Sequence, residues 1–343
     1  MHSPKKAMTT GAQRSARRFP RRTVGIALAA VVVLVAGAAI ALRSPSPVGH
    51  WDGAEGLEKY LEAYDEEFER FPTPEETLDV RTDFGVVRVY RFAGADRSGE
   101  DGEDTAPLVL LPGRGSGSPV WTDNLPHLLP IADVYALDLL GEPGRSVQER
   151  PITSDADQAA WLDQTLEGLA EDRFHLVGMS FGGWSAMNLA RHATEHLASV
   201  TALDAPFVFD DLPIGTVIRS IPVSFSWAPQ AWRESFSSYT AGGAEVQDLP
   251  VTRMIEAGMQ HYSLKLPMPS RISEAEAFDL DVPVLALIAG RSIMHDPPTA
   301  IATAERTLGE ESVRVYPEAS HAINGEYPEE IAADIAQFVD GLG

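Results

Sequence analysis

The chain is predicted to be an α/β protein, with a mostly parallel sheet, helices on both of its faces and a helical insertion. Three observations carry that prediction. Short uninterrupted apolar runs such as PLVLLPG (107–113), FHLVGMS (174–180) and VPVLALIAG (282–290) have the pattern of strands buried on both faces. Helical stretches alternate with these runs, and parallel strands need such crossovers. The chain between VTALDA (200–205) and VPVLALIAG is too long for a loop in a compact domain, so an inserted cap is expected over about 206–280.

Taken in order, residues 1–23 form a basic tail with Lys5, Lys6, Arg14, Arg17, Arg18, Arg21 and Arg22 and no acid. The nineteen residues VGIALAAVVVLVAGAAIAL (24–42) then carry no charge. As a helix they would be about 28 Å long, close to the hydrocarbon thickness of a bilayer. Basic residues ahead of such a run predict a single-pass anchor with the N-terminus cytoplasmic and the remainder outside. A cleaved signal peptide is the alternative, because Ala36-Gly37-Ala38 offers an A-x-A-like site and Arg21-Arg22 resemble a twin-arginine export signal. The expected location is therefore the cell membrane, or secretion after cleavage.

Residues 43–74 read as a linker, RSPSPVGH, and an amphipathic helix. That helix shows Leu57, Leu61, Phe68 and Phe71 among many acids, and Pro72 and Pro74 end it. The main domain is expected over 75–343. It opens with a hairpin, LDVRT and GVVRVYRF around Asp83-Phe84, followed by a polar surface loop at 94–106. Further strands are expected at 107–113, 134–140, 174–180, 200–205, 282–290 and 313–318. Helices are expected at 155–170, 182–192, 298–308 and 328–341.

Composition excludes several classes of function. There are 27 Lys plus Arg against 50 Asp plus Glu, a net charge of −23, and a nucleic-acid binder needs the opposite balance. With no cysteine, the chain has no disulfide, thiol nucleophile or thiolate metal site.

The chemistry is expected at Gly178-Met179-Ser180-Phe181-Gly182, a G-x-S-x-G pattern between an apolar strand and a helix. The turn there is so tight that side chains at the glycines would clash, and it leaves Ser180 proud of the strand end. A hydroxyl needs a base to become a nucleophile. His321, in a loop after the last strand and before the final helix, is the candidate.

These pieces resemble the α/β-hydrolase superfamily, and more closely its bacterial carboxylesterase-type members. The resemblance covers roughly residues 75–343 and rests, in order, on LVLLPGRGSGSPVW, VYALDLLGEPGRS, LVGMSFGGWSAMNLA and YPEASHAINGEYPEEI. It implies a serine hydrolase acting on small-molecule carboxylic esters, with no cofactor. It also implies an oxyanion hole from the backbone N–H groups of Phe181 and Arg114; Pro112, where many relatives have His, leaves that N–H in place. For the triad acid the resemblance offers two positions. In most relatives it follows the strand equivalent to 282–290, where this chain has Ile293, with Asp296 three residues on. Some relatives place it after the strand that follows the nucleophile, and ALDAP there supplies Asp204, which is preferred; Asp296, before Pro297-Pro298, also suits a helix N-cap.

The expected cap carries Phe207, Phe209, Phe225, Trp227, Trp232, Phe236, Tyr239 and Tyr262, either an apolar acyl pocket or the cap's own core. His192-Ala-Thr-Glu195-His196 spells H-x-x-E-H but lacks a third ligand, so zinc is not expected. The acid-rich stretches (Asp65, Glu66 and Glu67; Glu326, Glu329 and Glu330) read as solvated faces. Other activities compatible with this scaffold are peptide or lactone hydrolysis and cofactor-free haloperoxidation. An inactive cell-surface binding module is the alternative from outside enzymology.

Overall fold

A computed structural model describes residues 46–95, 105–223 and 228–342. Contacts divide the chain into two units, Met1–Ser46 and Pro47–Gly343, and the second is described here.

Its centre is a mixed sheet. The antiparallel hairpin β1 (Glu76–Thr82) and β2 (Gly85–Phe92) turns through Asp83-Phe84, with Thr82 paired to Gly85. The parallel part comprises β3 (Leu108–Leu111), β4 (Val134–Leu137), β5 (Phe174–Met179), β6 (Leu197–Leu203), β7 (Val284–Ala289) and β8 (Val313–Tyr316). Across the sheet the order is β1-β2-β4-β3-β5-β6-β7-β8, and a short strand, Val147–Gln148, pairs with the start of β2. The alternation of β3 shows why its sequence is apolar throughout. Val109 and Leu111 enter one core layer, and Leu108 and Leu110 enter the other.

Helices cover both faces. The first layer holds Trp161 and Leu162 of α2 (Asp155–Glu167), Trp184 and Met187 of α3 (Phe181–His192) and Ala300 and Ala304 of α7 (Pro297–Leu308). The second holds Tyr60 and Tyr64 of α1 (Ala54–Phe68) and Ile331 and Ile335 of α8 (Pro328–Asp340). The start of α2 is fixed by a capping box between Ser154 and Asp157.

Helix α1 buries more than its expected face, with Leu61 and Phe68 packed against the core as expected. Tyr60, Ala63, Tyr64 and Glu67 are its buried stripe, while Leu57 and Leu61 are half-buried. The Tyr64 hydroxyl donates to Asp138 and lies 3.1 Å from that of Tyr90, so aromatic residues with a polar tip join Leu61 and Phe68 on the inward face. Glu67, expected on a solvated surface, is buried beside Arg70.

Between β6 and β7 lie α4 (Ile214–Val223), α5 (Gln230–Thr240), α6 (Pro250–His261) and a short helix at Glu274–Phe278. Helix α6 packs against α1. His50, expected at the end of the linker, and Trp51, expected at the start of the helix, form a short strand that pairs antiparallel with Tyr262–Ser263. The edge of the insertion is thus tied to the chain that enters the sheet.

The membrane location expected from the sequence is corrected. Among the described residues no helix is long and apolar enough to cross a membrane. The run at 24–42 lies outside the described residues, as do its basic tail, most of the 94–106 loop, Phe225 and Trp227.

Candidate active site

Ser180 stands between the end of β5 and the start of α3, with φ 54° and ψ −118°. Sterics dictate that turn. A Cβ on Gly178 would lie 2.3 Å from the Gly182 carbonyl oxygen, and one on Gly182 would lie 2.1 Å from that of Leu111. Only glycine fits at either position, and the strain at Ser180 is held by the packing around it. Its N–H is fixed by the Leu203 carbonyl at 2.8 Å.

His321 follows β8. The Ser320 N–H and hydroxyl donate to the Glu326 carboxylate at 2.8 and 2.5 Å, which pins the loop from its own far end. Glu326 is exposed, as expected, and also clamps this loop. The His321 Nε2 atom lies 2.9 Å from Ser180 Oγ, and its Nδ1 lies 2.6 Å from Asp204 Oδ2. All three residues are buried, Asp204 to 1% exposure.

Asp204 ends β6 with φ 44° and accepts four hydrogen-bond contacts. Oδ1 receives the Ala289 N–H at 3.1 Å and faces His295 Nε2 at 2.7 Å. Oδ2 receives the Ser292 hydroxyl at 2.6 Å beside His321. Burial would raise this carboxyl, but the contacts with His295 and His321 outweigh it and hold it well below the usual carboxylate range.

Asp296 lies apart from this cluster. Its exposed carboxylate accepts from the Thr299 N–H and hydroxyl, capping α7, and its own N–H donates to Asp210. Ile293, in the same loop, offers only its carbonyl, to the Thr216 hydroxyl at 2.6 Å.

Phe181 is the first residue of α3, where an N–H has no partner within the helix. Arg114 sits in the turn 113–116, closed by Ser116 onto the Gly113 carbonyl, with Gly115 at φ 76°. A Cβ on Gly113 would be 3.5 Å from that of Ser180, so this turn runs beside the hydroxyl. Glu142, fully buried, holds it from behind. It accepts the Gly115 N–H at 3.0 Å and faces Arg114 Nε at 3.1 Å, a charge contact without hydrogen-bond alignment. Burial pushes the Glu142 carboxyl up, while Arg114 and the Gly115 amide oppose the rise. The Arg114 guanidinium also covers the Phe181 ring at 4.4 Å, and that ring stacks on Trp184.

The aromatics of the insertion are dispersed. Phe207 and Phe209 join the core under the sheet, and Tyr262 packs on Trp51. Tyr239 meets Phe236 and the Arg219 guanidinium, and Trp232 is half exposed. In the H-x-x-E-H stretch, His192 Nδ1 faces the Asn188 carbonyl and His196 Nδ1 that of Asp172. Among the described residues no cluster of His, Asp or Glu is arranged to hold a metal ion.

The model of the alpha/beta hydrolase family matches residues 108–334. The chain belongs to the alpha/beta hydrolase family. Among curated relatives it is 24% identical over 287 residues to an uncharacterized carboxylesterase, nap, of Bacillus subtilis, covering 82% of this chain and 92% of that one. It is 23% identical to carboxylesterase YbfK of the same organism, over 82% of this chain and 94% of that protein. The crystal structure of B. subtilis naproxen esterase superposes with a TM-score of 0.74 at 21% identity, covering 83% of this chain and 99% of that one. This family member is thus a carboxylesterase-like hydrolase.

Sequence reasoning missed His295, Ser292 and Glu142. His295 stands two residues beyond the position where most relatives place their acid, and a polar residue in that loop was the available signal. Glu142 carried none, because its partners lie 27 and 28 residues back along the chain.

Proposed function

We propose that the protein hydrolyses small-molecule carboxylic esters through an acyl-enzyme formed on Ser180. The observation that carries the reading is the unbroken line from Ser180 Oγ to His321 Nε2 and from His321 Nδ1 to Asp204 Oδ2. With Nδ1–H donated to the carboxylate, Nε2 bears the lone pair that faces the hydroxyl.

Ser180 attacks the ester carbonyl as His321 takes its proton, and Asp204, remaining ionised, stabilises the imidazolium. The backbone N–H groups of Phe181 and Arg114 receive the oxyanion, each worth about 2.7–4 kcal/mol in sites of this kind. His321 then returns the proton to the departing alcohol. Water, activated by the same imidazole, cleaves the acyl-enzyme and restores Ser180. The carboxylesterase names of the B. subtilis relatives support ester substrates for this chain as well.

Two measurements test the reading. A fluorophosphonate probe is expected to label the folded protein at Ser180, located by peptide mass spectrometry. A series of p-nitrophenyl esters of graded chain length is expected to be hydrolysed, and its optimum defines the acyl group preferred. A folded protein that takes no label and cleaves no ester is a binding module instead.

A further inference from the structure

The proposed reaction uses Asp204 only through Oδ2; its other oxygen is held separately. His295, in the loop between β7 and α7, is 3% exposed and places Nε2 at 2.7 Å from Oδ1, beside the Ala289 N–H. A ring nitrogen that close to an ionised carboxylate must carry the proton. His295 Nδ1 is buried with no hydrogen-bond partner among the described residues, so a second proton there would be buried without an acceptor. The ring therefore donates to Asp204 through Nε2–H. The loop that carries it is tied at both sides, by Thr216 to the Ile293 carbonyl and by the Asp296 N–H to Asp210.

We infer that His295 is a positioning residue for the proposed ester cleavage: it fixes the Asp204 carboxylate so that Oδ2 faces His321 Nδ1. The need is physical. The torsion that turns a carboxylate about its stem is soft and nearly two-fold, so hydrogen bonds, not rotamer preference, must set its plane. The Ser292 hydroxyl competes with His321 for Oδ2. With Oδ1 clamped by Ala289 and His295, the carboxylate cannot turn away to Ser292 alone. A donor on Oδ1 also draws charge from the carboxylate, so the proton gained by His321 during attack stays on the imidazole. This inference rests on Asp204 being the acid of the triad.

The test is hydrolysis of p-nitrophenyl butyrate by the full chain as His295→Phe, His295→Gln, Asp204→Asn and the double variant His295→Phe/Asp204→Asn. His295→Phe is expected to lower kcat by about 10-fold to 100-fold, the worth of one hydrogen bond to a charged group, with KM nearly unchanged. His295→Gln, whose amide nitrogen reaches the place of the imidazole Nε2, is expected to restore most of that loss. On the Asp204→Asn background, His295→Phe is expected to cost less than about twofold, because the group it positions is already gone. If His295→Phe fails to fold by circular dichroism, His295→Asn, too short to reach Oδ1, replaces it with the same expectations. A folded His295→Phe with wild-type kcat, a Gln variant no better than Phe, or an equal loss on the Asp204→Asn background overturns the inference. Wild-type activity in Asp204→Asn alone overturns instead the choice of Asp204 as the acid.

Discussion

Ser180 and Asp204 close neighbouring strands, β5 and β6, and both adopt a positive φ, 54° and 44°. They are held there by opposite means. Around Ser180 the signal is local: Gly178 and Gly182 flank it two residues away on either side, a Cβ on the first meeting the Gly182 carbonyl and a Cβ on the second the Leu111 carbonyl of β3. Around Asp204 it is distributed. Its contacts come from Ala289, Ser292, His295 and His321, between 85 and 117 residues further along the chain. The first arrangement can be written in five consecutive residues. The second exists only after β7 has been laid beside β6 and β8 beside β7.

The comparison breaks first at the hydroxyl. Ser180→Ala is expected to fold with an unchanged melting temperature and to lose about 10⁶ in kcat, the size seen when the nucleophile of a triad is removed. Residual hydrolysis within tenfold of wild type, measured on p-nitrophenyl butyrate, would place the reaction elsewhere.

Asp204→Asn comes next, with an expected fall in kcat of up to about 10⁴. Unlike the serine variant it should also lower the melting temperature. An amide offers one acceptor and one donor, whereas every contact around this side chain donates, so one contact must become donor against donor. Unfolding curves for the two variants side by side sharpen the comparison: the local site loses chemistry alone, the distributed site chemistry and stability together.

Gly182→Ala probes the local constraint from the other side. Its Cβ would meet the Leu111 carbonyl, so strand β3 or the elbow must shift, and a destabilisation of about 3 kcal/mol or more is expected. Urea denaturation monitored by tryptophan fluorescence measures it. A neutral effect would show that the elbow has slack its packing does not reveal.

Acid separates the two sites by stability. Because the folded-state carboxyl of Asp204 is depressed, the unfolded chain binds that proton more readily. Its contribution is therefore fully present above the ordinary aspartate range near pH ~4, and is lost as pH falls below it. The stability gap between wild type and Asp204→Asn is expected to narrow from pH 6 to pH 3, whereas the gap for Ser180→Ala stays flat.

Legibility follows the same division. The alternation of apolar runs and helices gave the sheet, because each strand and helix is a local pattern. Gly178 to Gly182 pointed to Ser180 as the candidate nucleophile for the same reason, and His321 was put forward as its base by its place after the last strand. Asp204 could be chosen over Asp296 only through a resemblance, since no local feature of ALDAP records what arrives from β7. His295 was passed over: its importance lies in a partner 91 residues away. The N-terminal helix taught a different lesson. Leu61 and Phe68 were read as its inward stripe, but Tyr60 and Tyr64 are buried more completely and reach polar partners, so the inward face is wider than the apolar residues alone indicate.

The smallest expected effect belongs to the alternative carboxylate. Asp296 and Asp204 are both acids near the ends of adjacent strands, yet Asp296 is exposed and satisfies only the first turn of α7, through Thr299. Removing an N-cap side chain costs about 1 kcal/mol. Asp296→Ala is therefore expected to lower stability by about that amount and to leave kcat and KM on p-nitrophenyl butyrate as they are, since the cap lies at the solvent side of the loop. The one route by which it could reach the chemistry is the loop itself. Its backbone N–H, which survives the substitution, holds the loop to Asp210, and His295 is the preceding residue. A drop in kcat beyond twofold would mean that the Asp296 side chain, and not its backbone, sets the position of His295.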